Sequence, residues 1–152
     1  MPADEAQPAQ NADARDLDVV AIGSPLLDVI ELATDEQLAQ VGLEKGSMTL
    51  IDLETATALQ GGMDAPRYVS GGSVANTTAG IAELGGAAGF VGAVADDEVG
   101  RTYTENLRAA GVEFEPHLSE TAAGDGLGTG RCMVLITHDA DRTMGTYLGA
   151  AS

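Results

Sequence analysis

Basic side chains are scarce in this 152-residue chain: 7 Lys and Arg stand against 24 Asp and Glu, for a formal net charge of −17. A surface so acidic lacks the electrostatic footprint that holds nucleic acid or an anionic membrane, so both are excluded as partners. Lys45 is the only lysine; genome composition and adaptation to salt would both produce that skew. Cysteine is nearly absent. The lone Cys132 excludes an internal disulfide and suits a reducing cytoplasm, the location expected. The two histidines, His117 and His138, lie far apart with no soft ligand nearby in sequence, so no metal site is expected. No apolar run approaches membrane-spanning length, and the N-terminus lacks the basic-then-hydrophobic pattern of a signal peptide.

What is present reads as one α/β domain, long enough to bury a core. Residues 1–16, rich in Ala, Pro, Gln and Asp, are expected to form a disordered acidic tail. Order is expected from Leu17, where the apolar run to Gly23 has the character of a buried strand. Ser24-Pro25 makes a turn. Leu26 to Leu32 then resumes an extended pattern that sets Asp28 among hydrophobic neighbours just past the first strand, where open α/β sheets place their ligands. Thr34 to Val41 is a short helix with Gln37 in capping-box position and Gly42 behind it. A strand over Ser47–Ile51, a helix over Asp52–Gln60 and an extended Arg67–Ser70 follow. Gly89 to Val94 reads as a second buried strand. The acids Asp96, Asp97 and Glu98 then form a solvated entrance to a helix from about Gly100 to Ala110. This alternation implies a parallel sheet covered on both faces. Val112–Pro116 is a short strand, Ser119–Gly130 a loop, and Arg131–Thr137 with Arg142–Leu148 a hairpin around His138–Asp141. So few strands leave an apolar face and an edge unpaired, so the chain is expected to be the front part of a longer protein.

Gly71-Gly72-Ser73-Val74-Ala75-Asn76 is the clearest candidate site. The glycines permit a tight turn and close approach of a ligand to bare N–H groups. Ser73 is expected to cap a helix whose apolar positions Val74, Thr77, Ile81 and Leu84 recur at helical spacing until Gly85-Gly86. A helix start of this kind favours a polar or anionic ligand, and Asn76 adds an amide one turn in. Taken alone, the stretch equally describes an ordinary loop into a helix. Asp28 alone describes a turn carboxylate, Arg142 a solvated hairpin residue, and Cys132 a strand-packing thiol. The stretch is neither a Walker loop nor a dinucleotide fingerprint, and its glycines do not follow the first strand.

Together, Ser24-Pro25-Leu26-Leu27-Asp28, Gly71 to Asn76, Gly92 through Asp96 to Gly100, and Ala110-Gly111-Val112 resemble the N-terminal half of a ribokinase-like (PfkB) sugar kinase, over about Leu17 to Ala151. The Pro-Leu-Leu-Asp segment, the Gly-Gly-Ser form of the motif and Arg142-Thr143-Met144 resemble adenosine kinases in particular. The resemblance implies a three-layer α/β/α core with a parallel sheet and a small β-sheet lid, truncated, with residues 17–152 supplying the substrate site and lid strands. Those lid strands are expected near Val29–Leu32, Met48–Ile51, Cys132–Thr137 and Arg142–Leu148.

The resemblance also implies chemistry: an ATP- and Mg2+-dependent kinase of the 5′-hydroxyl of adenosine or a related ribose nucleoside. Asp28 would accept two neighbouring ribose hydroxyls, while Gly72 N–H and Asn76 bind the same ribose and Ser73 lines the site. Leu26, Met48, Leu50 and Met144 would border a flat purine. Arg142 matches a lid arginine that reaches the phosphates once closure has excluded water. Ser24 stands where adenosine kinases often carry asparagine, which weakens a contact there. The family's second signature, Asp-Thr-x-Gly-Ala-Gly-Asp, is missing. Thr121 to Asp125 echoes it superficially but precedes the hairpin and lacks the leading Asp-Thr, so Asp125 is rejected as the base. Neither base nor ATP site is expected in the chain, which should be inactive alone. Two alternatives stay open: a ribokinase- or fructokinase-like sugar kinase, and a non-catalytic truncated binding remnant.

Overall fold

The computed structural model describes residues 16–119 and 127–152. The tail up to residue 15 and the segment holding Thr121–Asp125 lie outside the described residues.

A first sheet, in the order β1 (Val19–Ile22), β5 (Ala88–Val91), β7 (Glu113–Phe114), is parallel throughout. Its strands are linked by helices α3 (Ser73–Glu83) and α4 (Glu98–Ala109), which pack on one face. The core there gathers Phe90, Val94, Tyr103, Leu107, Val112 and Phe114. The Phe114 ring lies tilted at 46° against Phe90, with centroids 5.4 Å apart, and meets Tyr103 edge-on at 5.8 Å, geometries that add to simple burial. The other face is open among the described residues, with Val20 58% and Ile22 78% exposed. Leu17–Gly23 is therefore not the fully buried strand its apolar run suggests. The expected Gly89–Val94 strand also divides at Gly92, its second part β6 (Ala93–Val94) pairing with a short strand, β8 (His117–Leu118), that the sequence does not announce.

The second sheet is five-stranded and mixed. Its order is β3 (Met48–Leu50), β10 (Arg142–Tyr147), β9 (Arg131–Ile136), β2 (Leu26–Leu32), β4 (Arg67–Gly71). These are the four expected lid strands with β4 as an unexpected fifth. Helices α1 (Asp35–Val41) and α2 (Leu53–Gly61) connect them, and α2 packs behind β9 and β10. The α1 start is a complete capping box: Gln37 N–H donates to Thr34 Oγ1 at 3.2 Å, and Thr34 N–H to Gln37 Oε1 at 2.8 Å. Lys45 Nζ donates to Asp35 and to Asp139, each at 2.7 Å, joining α1 to the hairpin turn.

The two sheets meet at a neck where the backbone crosses four times and approaches itself closely. A Cβ at Gly130 would sit 2.6 Å from the Leu148 carbonyl oxygen and 2.9 Å from that of Pro25. Helix α3 leaves this neck, and its buried stripe is Ala75 and Thr78; Thr77 is exposed and Leu84, past the helix end, is 91% exposed. Of the other expected positions, Val74 packs partly buried against the core and Ile81 is half-buried. On the helix, a Cβ at Gly80 meets nothing within 4 Å. Gly80→Ala is therefore expected to stabilise the chain by about 0.5–1 kcal/mol through reduced freedom of the unfolded state, measured by urea unfolding.

Candidate functional site

Strand register decides which side chains share a face. Leu26, Asp28 and Ile30 alternate with the buried Leu27 and Val29 along β2, so Asp28 belongs to the face turned away from the α1 and α2 layer. Asp28 pairs with Val69 on β4 and Cys132 on β9; Cys132 pairs with Thr146 on β10, and Thr146 with Leu50 on β3. A second row on that face runs Ile30, Val134, Met144, Met48. The sheet thus brings Leu26, Asp28, Met48, Leu50 and Met144 onto one surface. Three strand spacings, about 14 Å, separate Asp28 from Leu50. One end of this surface is acidic, the other apolar: Met48 and Leu50 are more than half exposed.

Asp28 is the unusual group. Its carboxylate is half-buried, and among the described residues nothing donates a hydrogen bond to it. Burial pushes its pKa from 3.8 to about 6. Gly71 makes the position possible, since a Cβ there would run into both carboxylate oxygens. From behind, the fully buried Tyr103 donates its hydroxyl to the Gly71 carbonyl at 3.3 Å. Burial, then the nearby Asp28, raises the pKa of that phenol, so it stays a neutral donor. Burial likewise raises the Cys132 thiol, and Thr146 Oγ1 donates to its sulfur at 3.4 Å. That is the strand-packing thiol expected.

The start of α3 departs from expectation by one residue. Gly72, not Ser73, is the N-cap, with φ 97° and ψ 130°, and no side chain caps the helix. The turn out of β4 needs a positive φ, so the cap falls on the residue without a Cβ, and Ser73 becomes the first helical residue with an exposed side chain. The leading N–H groups are left for a ligand or solvent. Asn76 is exposed one turn on, bordering a groove with Val69 and Ser70. Ser24, at the neck, donates to the Ala151 carbonyl at 3.1 Å, while its own carbonyl faces Gly72.

Arg142 is not brought to this group. It shares the face but pairs with Ile136, which pairs with Leu32, four residues along from Asp28, or about 13 Å. Among the described residues no three His, Cys, Asp or Glu side chains are placed to hold a metal ion. A cavity of about 530 Å³ lined by Glu31, Leu59, Met63 and Leu135 opens on the opposite face of the sheet and contains none of the candidates. Val69 and Thr146 also belong to the surface, and neither is among the candidates read from the sequence. The hairpin turn at His138–Asp141 does carry a signal for Thr146, because it sets Thr146 opposite Cys132. The pairing of β2 with β9 joins residues about a hundred positions apart and leaves no local trace.

A parallel α/β core with an uncapped helix start, joined to a small mixed sheet that carries a half-buried acid, has the ribokinase-like fold. The chain belongs to the pfkB family of carbohydrate kinases, whose pattern it matches over residues 18–152. It is 40% identical to the adenosine kinase of Sinorhizobium meliloti, with a TM-score of 0.74 over 89% of this chain and 40% of that one. A probable sugar kinase of Rhizobium etli is 38% identical, with a TM-score of 0.76 over the same shares, 89% and 40%. Over 83 residues the chain is 35% identical to the 5-dehydro-2-deoxygluconokinase of Halalkalibacterium halodurans, which covers 55% of this chain and 25% of that enzyme. It therefore spans less than half the length of each of these relatives. No helix among the described residues is long and apolar enough to cross a membrane.

Proposed function

We propose that residues 17–152 form the substrate-binding part of a cytoplasmic, ATP-dependent kinase that phosphorylates the 5′-hydroxyl of adenosine or a related ribose nucleoside. The observation that carries this reading is the unpaired, half-buried carboxylate of Asp28 on the same surface as apolar Leu50, Met48 and Met144. A vicinal diol suits a group that accepts twice, and an apolar strip suits a flat base. The likeness to adenosine kinases supports the choice of nucleoside. Gly72 N–H and Asn76 would complete the ribose contacts, with Ser73 and Ser24 at the rim and Leu26 beneath; Arg142 would reach phosphate oxygens after closure of the lid. The family's second signature has no counterpart in the sequence, so phosphoryl transfer from ATP with Mg2+ is assigned to segments other than these, as is the catalytic base.

A second reading, a sugar kinase, is favoured by the likeness to the probable sugar kinase and to the 5-dehydro-2-deoxygluconokinase. Calorimetric titration of the chain with adenosine, inosine, ribose and fructose 6-phosphate separates the two. Adenosine is expected to bind most tightly, with no phosphoryl transfer from ATP by the chain alone. Binding of ribose or fructose 6-phosphate without adenosine would favour the sugar kinase, and robust transfer by the purified chain would overturn the assignment of base and ATP site to other segments.

A further inference from the structure

Asp97, which in the sequence has the look of one of three solvated acids, is tied into the neck. Its Oδ1 accepts from Gly100 N–H at 2.7 Å, the bond that caps α4. The same oxygen accepts from Thr129 Oγ1 at 2.7 Å, and Oδ2 accepts from Thr129 N–H at 2.8 Å. Thr129 is 1% exposed, and its hydroxyl also accepts from Ala95 N–H at 2.9 Å. Next in sequence, Gly130 takes the Leu27 N–H on its carbonyl at 3.0 Å, and a Cβ there would run into the Leu26 side chain and the Pro25 carbonyl. Leu27 precedes Asp28. A continuous path of short hydrogen bonds therefore leads from the start of α4, in the core layer, to the strand that carries the acid.

We propose that Asp97 is a positioning residue for the candidate site, acting through Thr129 and Gly130 to fix where β2 enters the five-stranded sheet and so where Asp28 stands. The consequence for affinity rests on the proposed nucleoside substrate; the placement of Asp28 does not. A cap alone needs one acceptor, and asparagine serves as well as aspartate there. Holding both the N–H and the hydroxyl of Thr129 needs two acceptor oxygens, which only the carboxylate offers. Capping and positioning are thereby separable by substitution.

The test uses the 152-residue chain, with Asp97→Asn, which removes one acceptor oxygen, and Thr129→Val, which removes the hydroxyl arm and keeps the N–H arm, as two independent ways to weaken the link, and Thr129→Ser as the variant that keeps it. Amide and carboxyl resonances of Leu27 and Asp28 are followed by NMR without ligand, with the amides of Val19–Ile22 in β1 as the internal control. Asp97→Asn and Thr129→Val are expected to shift Leu27 and Asp28 several times further than Val19–Ile22, and Thr129→Ser is expected to leave them in place. In titrations with adenosine, the two disruptive variants are expected to bind about ten- to a hundredfold more weakly, the scale of a small misplacement. Unmoved Leu27 and Asp28 signals in either folded disruptive variant overturn the positioning role, as does an unchanged adenosine affinity where wild type binds. Wild type that binds no nucleoside while Leu27 and Asp28 move overturns the nucleoside assignment and leaves Asp97 as the residue that places Asp28.

Discussion

Asp28→Asn is expected to reduce nucleoside binding by about a hundredfold or more while making the chain more stable at pH 7.5, because two hydrogen bonds to a charged acceptor are lost. The gain in stability has a separate cause. Burial raises the carboxyl pKa to about 6 in the folded chain, against an ordinary 3.8, so folding favours the protonated acid. That contribution is fully present below the unfolded value and disappears as pH rises through about 6. At pH 7.5 wild type therefore carries a destabilising charge that asparagine lacks. Taken in full, the displacement corresponds to about 3 kcal/mol. Solvent reaches part of the group, and about 1–2 kcal/mol is the realistic gain. Urea unfolding at pH 7.5 and at pH 3.5 measures it, and the two proteins should converge at the lower pH. Wild-type affinity should also fall as pH drops through about 6, where the acceptor is protonated. An asparagine variant less stable than wild type at pH 7.5 would refute the account of burial; unchanged affinity would remove Asp28 from the site.

Gly72→Ala is expected to be among the most damaging single-carbon changes in the chain. The backbone there adopts φ 97° with ψ 130°, a region that costs a residue with a side chain about 1–3 kcal/mol. The added Cβ would also lie 2.7 Å from the Ser24 carbonyl oxygen, which belongs to the backbone linking β1 to β2 and cannot rotate aside as a side chain could. A loss of about 3–5 kcal/mol follows, a large share of the stability of a domain this size. Eight residues along the same helix, Gly80→Ala should act in the opposite direction. Thermal unfolding of the pair, followed by circular dichroism, checks both signs at once. A Gly72→Ala chain melting with wild type would mean that the turn is not held as described.

Local grammar was legible. Thr34 with Gln37 foretold a capping box, Asp52 preceded a helix it does cap, and the turn His138–Asp141 gave the hairpin and its register. Asp28 stood out because a carboxylate interrupts an alternating apolar strand. Less legible was anything set by long-range pairing. β4 joins the five-stranded sheet beside β2, which no periodicity in Arg67–Gly71 records, and its arrival puts Gly71 under the Asp28 carboxylate. Ser73 obeyed capping statistics, yet the strand ran on to Gly71 and shifted the cap to Gly72. Asp97 looked like a member of an acidic run because its second partner, Thr129, lies across the neck. Burial of β1 failed for a different reason: the apolar run is real, but its outer face is left largely exposed, Val20 at 58% and Ile22 at 78%.

The neck and the proposed substrate face differ in how freely they can vary. Where the strands cross, added carbons at Gly72 and Gly130 would meet main-chain oxygens, so no repacking of side chains could absorb them. On the five-stranded sheet, Met48 and Leu50 point outward and carry no part of the core. Substitutions can therefore accumulate on the proposed ligand face while the crossings keep the acid in place. A scaffold divided in this way can acquire a new substrate without having to learn to fold again.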